Sequence, residues 1–101
     1  MPYCYILYSP SKKIYYTGFT QTDLTERISK HHSGFYNKTY SSICNDWVLY
    51  LSIECVDVNQ ALKIEKHIKR MKSKIYIENL KKHPEIVTKL LELYKSTWLS
   101  R

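Results

Sequence analysis

Three segments of the chain have hydrophobic patterns that are typical of β-strands, two through their residue types and one through the alternation of apolar and polar positions. Residues 3–8 and 14–17 are rich in aromatic and β-branched side chains, and a short polar stretch separates them. They predict a β-hairpin whose connection is slightly longer than the tightest turns. Apolar residues occupy the odd-numbered positions from Trp47 to Cys55, which predicts a third strand with one buried face. Gly18 follows the hairpin, where a tight bend or a close backbone approach favours glycine.

The segment after the hairpin has the three- to four-residue apolar spacing of an amphipathic helix. A first helix is predicted from Leu24 to His31. Its N-cap is Asp23 or Thr22, because a short oxygen-bearing side chain there can accept a backbone hydrogen bond. Residues 35–45 show no period and are interpreted as a loop.

Three more helices are predicted after the third strand. Asp57 or Asn59 caps a helix that continues to about Met71, and residues 74–81 form a further helix. Pro84 suits the first turn of the last helix. The apolar stripe of the first of these helices is Ala61, Ile64, Ile68 and Met71. The stripe of the last helix is Ile86, Val87, Leu90, Leu91, Tyr94 and Trp98.

The succession of elements predicts an α/β fold of the order β-β-α-β-α-α(-α). Such an order favours a small sandwich in which helices flank a three-stranded antiparallel sheet. At 101 residues the chain is expected to form a single domain, residues 1–101. Its core is expected over about residues 3–82, with a helical extension over about residues 84–99.

Cysteine usage and hydropathy favour a cytoplasmic protein. Cys4, Cys44 and Cys55 are an odd set without CxxC spacing, which disfavours a disulfide framework and a standard zinc site. Cys4 and Cys55 fall in predicted strands, where a free thiol acts as a small apolar filler. No apolar run approaches the roughly 18–20 residues that cross a bilayer. The first residues lack the basic flank and apolar stretch of a signal peptide, so a cytoplasmic location is expected.

Positive charge is concentrated in the second half of the chain. The net charge is +7, from 16 Lys and Arg residues against 9 Asp and Glu residues. Most of the excess falls between Gln60 and Lys82, and such a concentration is typical of a polyanion-binding surface. The residues assigned to nucleic-acid binding are Lys63, Lys66, Lys69, Arg70, Lys72 and Lys74. The alternative is an ordinary solvated helix face.

Two pairs of side chains are candidates for chemistry. Tyr5 and Tyr16 lie on the two strands of the predicted hairpin, so their phenols can meet side by side and face a cleft. Alternatively they are simply two of ten tyrosines, a residue common on half-buried strands. Arg27 and His31 share one face of the first helix, where a guanidinium can grip a phosphate and an imidazole can transfer a proton. An ordinary exposed Arg/His pair is the alternative.

Glu65 is an unusual residue in the basic helix. At about 100° per residue it falls between Ala61 and Leu62, within the arc that is expected to face the core. A carboxylate there is costly unless it is paired or bound to a cation. Lys69, one turn further on, can form an ion pair with it; alternatively Glu65 is a ligand for Mg²⁺, which often takes one carboxylate together with water and phosphate.

The ordered set of these residues resembles the GIY-YIG superfamily, which includes the N-terminal nuclease domain of the bacterial excinuclease. Two motifs give the superfamily its name, and Tyr3-Cys4-Tyr5 stands at the position of the first and Tyr16-Thr17-Gly18 at that of the second. Ten residues separate Tyr5 from Tyr16, which correspond to the catalytic tyrosines of the family. Residues 24–28 match the helix with the family's arginine, and residues 61–65 match the helix with its metal-binding glutamate. The first motif lacks its glycine and isoleucine and the second its isoleucine, as in the small stand-alone group of the superfamily.

The resemblance implies a phosphodiester hydrolase that depends on one divalent metal ion, Mg²⁺ or Mn²⁺. By that resemblance Glu65 would hold the metal, Tyr5 would act as the general base or assist it, and Tyr16 would position the water or phosphate. Arg27 would neutralise the charge that gathers on the phosphate in the transition state. His31 would relay a proton or contact the phosphate.

The resemblance also implies a substrate and a setting. DNA is the expected substrate, in DNA repair or processing. The short chain leaves little space for a separate recognition domain, so low sequence specificity is expected, with either structure-directed cleavage or targeting through a partner. A protein partner for targeting is possible, and a monomer is expected in preference to a dimer. Asn79, a possible counterpart of a further family asparagine, stays outside the predicted catalytic set. The alternatives are a non-catalytic nucleic-acid-binding module with the same fold and a protein-interaction domain with an acidic partner.

Overall fold

The structure is a computed structural model that describes residues 1–22, 24–32 and 45–95, with only the backbone described for residues 29–32. Seven elements follow one another in the order predicted from the sequence. They are β1 (Tyr3–Ser9), β2 (Ile14–Thr20), α1 (Leu24–His32), β3 (Val48–Glu54), α2 (Val58–Met71), α3 (Lys74–Lys82) and α4 (Pro84–Leu93). Asp23, Cys44, Trp98 and nearly all of the predicted loop 35–45 lie outside the described residues. None of the described helices is long and apolar enough to cross a membrane.

The three strands form one antiparallel sheet in the order β2-β1-β3, which confirms the predicted fold class. β1 lies in the centre and pairs with both neighbours. β2 continues to Thr20, three residues beyond the predicted end, because its last residues still pair with the start of β1. Gly18 therefore lies inside a strand, opposite Tyr5, and the bend that was one reason to expect a glycine there is absent.

A β-bulge interrupts the pairing of β1 with β3. Ile6 pairs with Leu51, but the next residue, Leu7, pairs with Leu49, so Tyr50 is an extra residue on β3. A bulge places two residues of one strand opposite a single position of its partner. The alternation of side chains along β3 therefore shifts by one residue at Tyr50.

The bulge overturns the prediction that β3 buries a single face. Trp47 packs with the cluster of Tyr5 and Leu7 on one face of the sheet, whereas Ile53 packs with the core on the other face. Leu49, which the alternation placed in the core, is 43 % exposed. Period-two sequence patterns assume an unbroken ladder, and one extra residue moves every later side chain to the opposite face.

Helices cover both faces of the sheet. The larger core lies under α2, α3 and α4 and consists of Cys4, Ile6, Ile53, Cys55, Ala61, Ile64, Ile68, Ile77, Leu80 and Leu90. The smaller core lies under α1 and consists of Tyr5, Leu7 and Trp47, with Leu24 and Ile28 of the helix packed against it. Both buried cysteines are free thiols within the larger core, in keeping with their predicted role as fillers.

Side-chain caps fix where the helices α2 and α3 begin. Of the two candidate caps for α2, the structure selects Asp57, whose carboxylate accepts a hydrogen bond from the backbone N–H of Gln60 at 2.8 Å. Ser73 caps α3 by accepting from the N–H of Tyr76. Between these helices Lys72 adopts the left-handed conformation, with φ 49°. The tight junction sets α3 beside the end of α2.

Candidate active site

The two candidate tyrosines share one face of the hairpin as diagonal neighbours. Tyr5 pairs with Gly18, and Tyr16 pairs with Leu7 two residues away. Gly18 leaves the space that both rings need: a Cβ atom there would lie 2.7 Å from the Tyr5 hydroxyl oxygen and 3.1 Å from Cε2 of Tyr16. Close approach of two side chains, and not a bend, is therefore the structural reason for the glycine.

Helix α1 brings Arg27 to this pair. Leu24 and Ile28 of α1 pack against the smaller core, and the half-buried Arg27 lies between them in sequence. Its Nε–H donates a hydrogen bond to the Tyr5 hydroxyl oxygen at 3.2 Å. Tyr5 itself is fully buried. The hydrogen bond holds the guanidinium beside the Tyr5 phenol, and a guanidinium is a group suited to binding an anion.

Helix α2 contributes Glu65 and Lys69. Their ion pair, Nζ to Oε2, measures 3.2 Å, with the glutamate side chain 15 % exposed and the lysine side chain 52 % exposed. The pairing is the one that the four-residue spacing allowed. Glu65 also lies near Cys4 of β1. The pKa of the Cys4 thiol is raised far above its usual value, mainly by burial, then by Cys55, and then by the negative charge of Glu65.

Lys69 connects the glutamate to the tyrosine pair. Its Nζ lies 5.8 Å from the centre of the Tyr16 ring while it pairs with Glu65. β2 is an edge strand, so a side chain of α2 can reach round it to Tyr16. Arg27 is thus bonded to Tyr5, and both tyrosines border Gly18. Lys69 lies between Tyr16 and Glu65 and is the link between the tyrosines and the carboxylate. We call Tyr5, Tyr16, Arg27, Glu65 and Lys69 the candidate site.

A comparison with known protein families identifies the family of the chain. The model of the GIY-YIG catalytic domain matches residues 1–82, which include every residue of the candidate site. This chain belongs to the GIY-YIG family. Searches of the curated proteins and of the solved structures return no match. The GIY-YIG family is a nuclease family, so nucleic acid is the substrate class that membership implies.

The donor atoms of this GIY-YIG domain fit a metal site of one particular kind. Among residues 1–22, 24–32 and 45–95, no group of three or more His, Cys, Asp or Glu side chains could hold an ion. A site at Glu65 would therefore use one carboxylate and complete its shell with water and phosphate, which Mg²⁺ accepts. Lys69 pairs with that carboxylate and is 52 % exposed, so it would have room to move away if Glu65 held a metal ion.

The predicted nucleic-acid-binding residues form an exposed basic surface. All six are exposed: Lys63, Lys66, Lys69 and Arg70 on α2, Lys72 at its end, and Lys74 on α3. Lys74 Nζ also donates a hydrogen bond to the carbonyl oxygen of Lys13 at 2.9 Å. This bond attaches the β1–β2 turn to the start of α3, so the basic surface extends to Lys12 and Lys13. The sequence alone does not assign the turn to this surface, because a local run of charge does not show which distant segment adjoins it.

The other residues named from the sequence have different places. The backbone of His31 lies in α1, but its side chain is outside the described part of the chain, so its role stays a prediction. Asn79 lies on α3, where its carbonyl accepts the N–H of His83 at 2.7 Å. Trp47, which the sequence assigned to the core, contacts Tyr16 with ring centres 6.0 Å apart and so supports the candidate site. The bulge in β3 is the reason that no sequence pattern revealed this contact.

Proposed function

We propose that this GIY-YIG domain is a divalent-metal-dependent endonuclease that hydrolyses DNA phosphodiester bonds with low sequence specificity. Its setting would be DNA repair or processing. The observation that supports the proposal is the grouping of these residues. Arg27 is bonded to Tyr5, both tyrosines border Gly18, and Lys69 links Tyr16 to Glu65. Binding of DNA alone needs positive charge and does not require a carboxylate at the centre of a basic surface.

Arg27 would hold the scissile phosphate. Its Nε–H is bonded to Tyr5, which orients the guanidinium, and the N–H groups of a guanidinium can bind two phosphate oxygens. As negative charge gathers on the phosphate, these donors stabilise the transition state more than the ground state. Donors of this kind each accelerate a reaction by about 10²–10³-fold.

The two tyrosines would act on the attacking water. The Tyr5 oxygen accepts a hydrogen bond from the Arg27 guanidinium at 3.2 Å, which orients the phenol. As the general base, Tyr5 takes a proton from the water as it attacks phosphorus, a role that requires the anionic form of the phenol. Tyr16, on the same face of the hairpin, positions the water or a phosphate oxygen. His31 relays the proton or contacts the phosphate.

Glu65 would hold one Mg²⁺ or Mn²⁺. When bound, such an ion supplies Lewis-acid stabilisation of the leaving oxygen. Lys69 releases the carboxylate at that point, and its ammonium group turns to the DNA backbone. The cost of breaking the pair is small, because ion pairs of helix residues four apart contribute about 0.5 kcal/mol.

A cleavage assay with matched variants tests the endonuclease. Glu65→Gln and Arg27→Gln are each expected to lower the rate of nicking by about 100-fold or more, because each removes a group that acts on the transition state. Glu92→Gln makes the same change as Glu65→Gln, and Lys89→Gln removes one positive charge as Arg27→Gln does. Both lie at exposed positions of α4 and are expected to cleave like wild type. EDTA is expected to stop cleavage, and added Mg²⁺ or Mn²⁺ to restore it. Cleavage by all variants at the wild-type rate would assign the activity to another site or a contaminant.

The second candidate function is a nucleic-acid-binding module without turnover. Two observations favour it: the Tyr5 hydroxyl is fully buried, and Glu65 is paired with Lys69. In that case pure wild-type protein would bind DNA in a salt-dependent way, yet would not nick duplex, branched or single-stranded DNA with any of these metals. That result would replace the endonuclease proposal.

A further inference from the structure

A cavity of about 330 Å³ lies between the edge strand β2 and the junction of α2 with α3. Tyr15 and Tyr16 of β2 line one side of it, and Ile68 and Ile77 of the helices line the other. Burial and a hydrogen bond with Tyr50 raise the pKa of Tyr15 to about 12, so this wall stays uncharged at neutral pH. The lining therefore offers flat aromatic and apolar surface to an occupant.

Three lysines, Lys69, Lys72 and Lys74, surround this apolar lining. All three lysines are exposed, and backbone geometry or a backbone hydrogen bond restricts the position of two of them. Lys72 is the left-handed residue that ends α2, and Lys74 is bonded to the carbonyl of Lys13. The cavity thus combines an uncharged interior with a positive rim, which suits an occupant that has a flat ring and a negative group.

Size limits the occupant to one nucleotide. Cavities that take small ligands begin at about 300 Å³, so this one is at the lower limit. A base pair within a duplex cannot enter, whereas a base that is out of the stack can, and aromatic side chains bind such a base by stacking. The phosphate that follows the base then lies at the lysine rim.

We propose that this cavity binds an unpaired nucleotide adjacent to the scissile phosphate. Two residues belong to both places: Tyr16 and Lys69 line the cavity and are part of the candidate site. The inference deepens the proposed function and rests on it, because it names the substrate class as DNA with an unpaired nucleotide beside the bond to be cut. The unpaired base selects the substrate, and no sequence of bases needs to be read.

Binding measurements without metal test the base directly. Three DNA hairpins are compared by fluorescence anisotropy in EDTA: one blunt, one with a three-nucleotide single-stranded flank, and one with the same flank made abasic. The flank with bases is expected to bind about tenfold more tightly than the abasic flank, the usual effect of one stacked base. Equal affinity for the two flanks would overturn the proposal, since their phosphates are the same.

Protein variants test the location of the bound nucleotide. Lys72→Asn removes a rim charge and retains a residue that tolerates the left-handed conformation. It is expected to weaken binding of the flanked hairpin several-fold more than binding of the blunt one. Lys89→Gln, an equal loss of charge on α4, is expected to change the two affinities by the same small factor. If Lys72→Asn also weakens both hairpins equally, the lysine grips only duplex backbone and the proposed location is wrong.

The two proposals fail in distinguishable ways. Binding that depends on the unpaired base and on Lys72, in a protein that never cleaves, would keep the nucleotide cavity and remove the nuclease. Efficient cleavage of blunt and flanked DNA alike, with no effect of the abasic flank on binding, would keep the nuclease and remove the cavity. Thermal unfolding of each variant checks that its fold is retained. We expect it to be, because the altered lysines are exposed.

Discussion

Gly18 illustrates how a single residue shapes the candidate site. Its neighbours across and along the hairpin are the Tyr5 hydroxyl and the Tyr16 ring, both within about 3 Å of the position that a Cβ atom would take. The glycine is thus needed for the two phenols to lie over the same point of the sheet. Interior packing is dense enough that even one added methyl group is felt.

We predict that Gly18→Ala destabilises the protein by about 1–3 kcal/mol, the usual cost of overpacking a filled interior. The fully buried Tyr5 has no room to move away from the new Cβ atom. Urea unfolding measures the effect, and Ser52→Ala on the exposed side of β3 is the control. Tyr5→Phe removes one of the clashing atoms, so Gly18→Ala is expected to cost less in that background. Equal costs in both backgrounds would show that the strain lies elsewhere.

At the scale of the elements, helix α2 is connected to α3 and to the end of α4 through one side chain, His67. His67 accepts or donates hydrogen bonds on both ring nitrogens: Nδ1 lies 2.9 Å from the Tyr94 hydroxyl after α4, and Nε2 lies 3.1 Å from the Tyr76 hydroxyl on α3. A neutral imidazole can donate with one nitrogen and accept with the other. This residue therefore ties three helical segments together in its neutral form.

We predict that acid weakens this connection. Burial, with a contribution from Arg70, lowers the pKa of His67 below its usual 6.5, so the unfolded chain binds the proton more readily than the folded one. Stability is therefore full above pH 6.5 and falls as the pH drops below that value through the folded pKa. Urea midpoints at pH 8, 6 and 5 are expected to fall more for wild type than for His67→Gln. Parallel pH profiles for the two proteins would contradict the prediction.

β3 shows why the sequence predicted a strand correctly but did not predict which of its side chains are buried. Its strand character follows from residues that are neighbours in sequence, and the structure confirms a strand at Val48–Glu54. Its bulge at Tyr50 depends on how β1 pairs with it, which involves residues more than forty positions away. Local alternation carries no information about such a register shift.

At the scale of the whole molecule, the distribution of charge would determine which surface contacts a nucleic acid. The net charge of +7 is concentrated on α2, the α2–α3 junction and the β1–β2 turn that Lys74 attaches to them. These segments are distant in sequence and form one surface next to the candidate site. Counterions released from DNA by such a surface make affinity fall steeply with salt.

We predict that affinity for duplex DNA depends on salt through the lysines of α2. In a plot of log K against log salt concentration, Lys63→Gln and Lys66→Gln are each expected to reduce the slope by about 0.9, the value for one lost phosphate contact. Lys89→Gln on α4 is expected to leave the slope unchanged. Equal slopes for all variants would show that DNA lies on another surface of the molecule.

The sequence by itself determined the kind and order of the elements, the family and the residue types of the candidate site. Periodicity, caps and motif residues such as Tyr5 and Glu65 are local properties, so they can be recognised without knowledge of the fold. Only the tertiary structure decided the packing of Trp47 against Tyr16, the pairing of Gly18 with Tyr5, and the cavity beside β2. These features arise where segments far apart in sequence come into contact, and strand register and side-chain packing exist only in the folded chain.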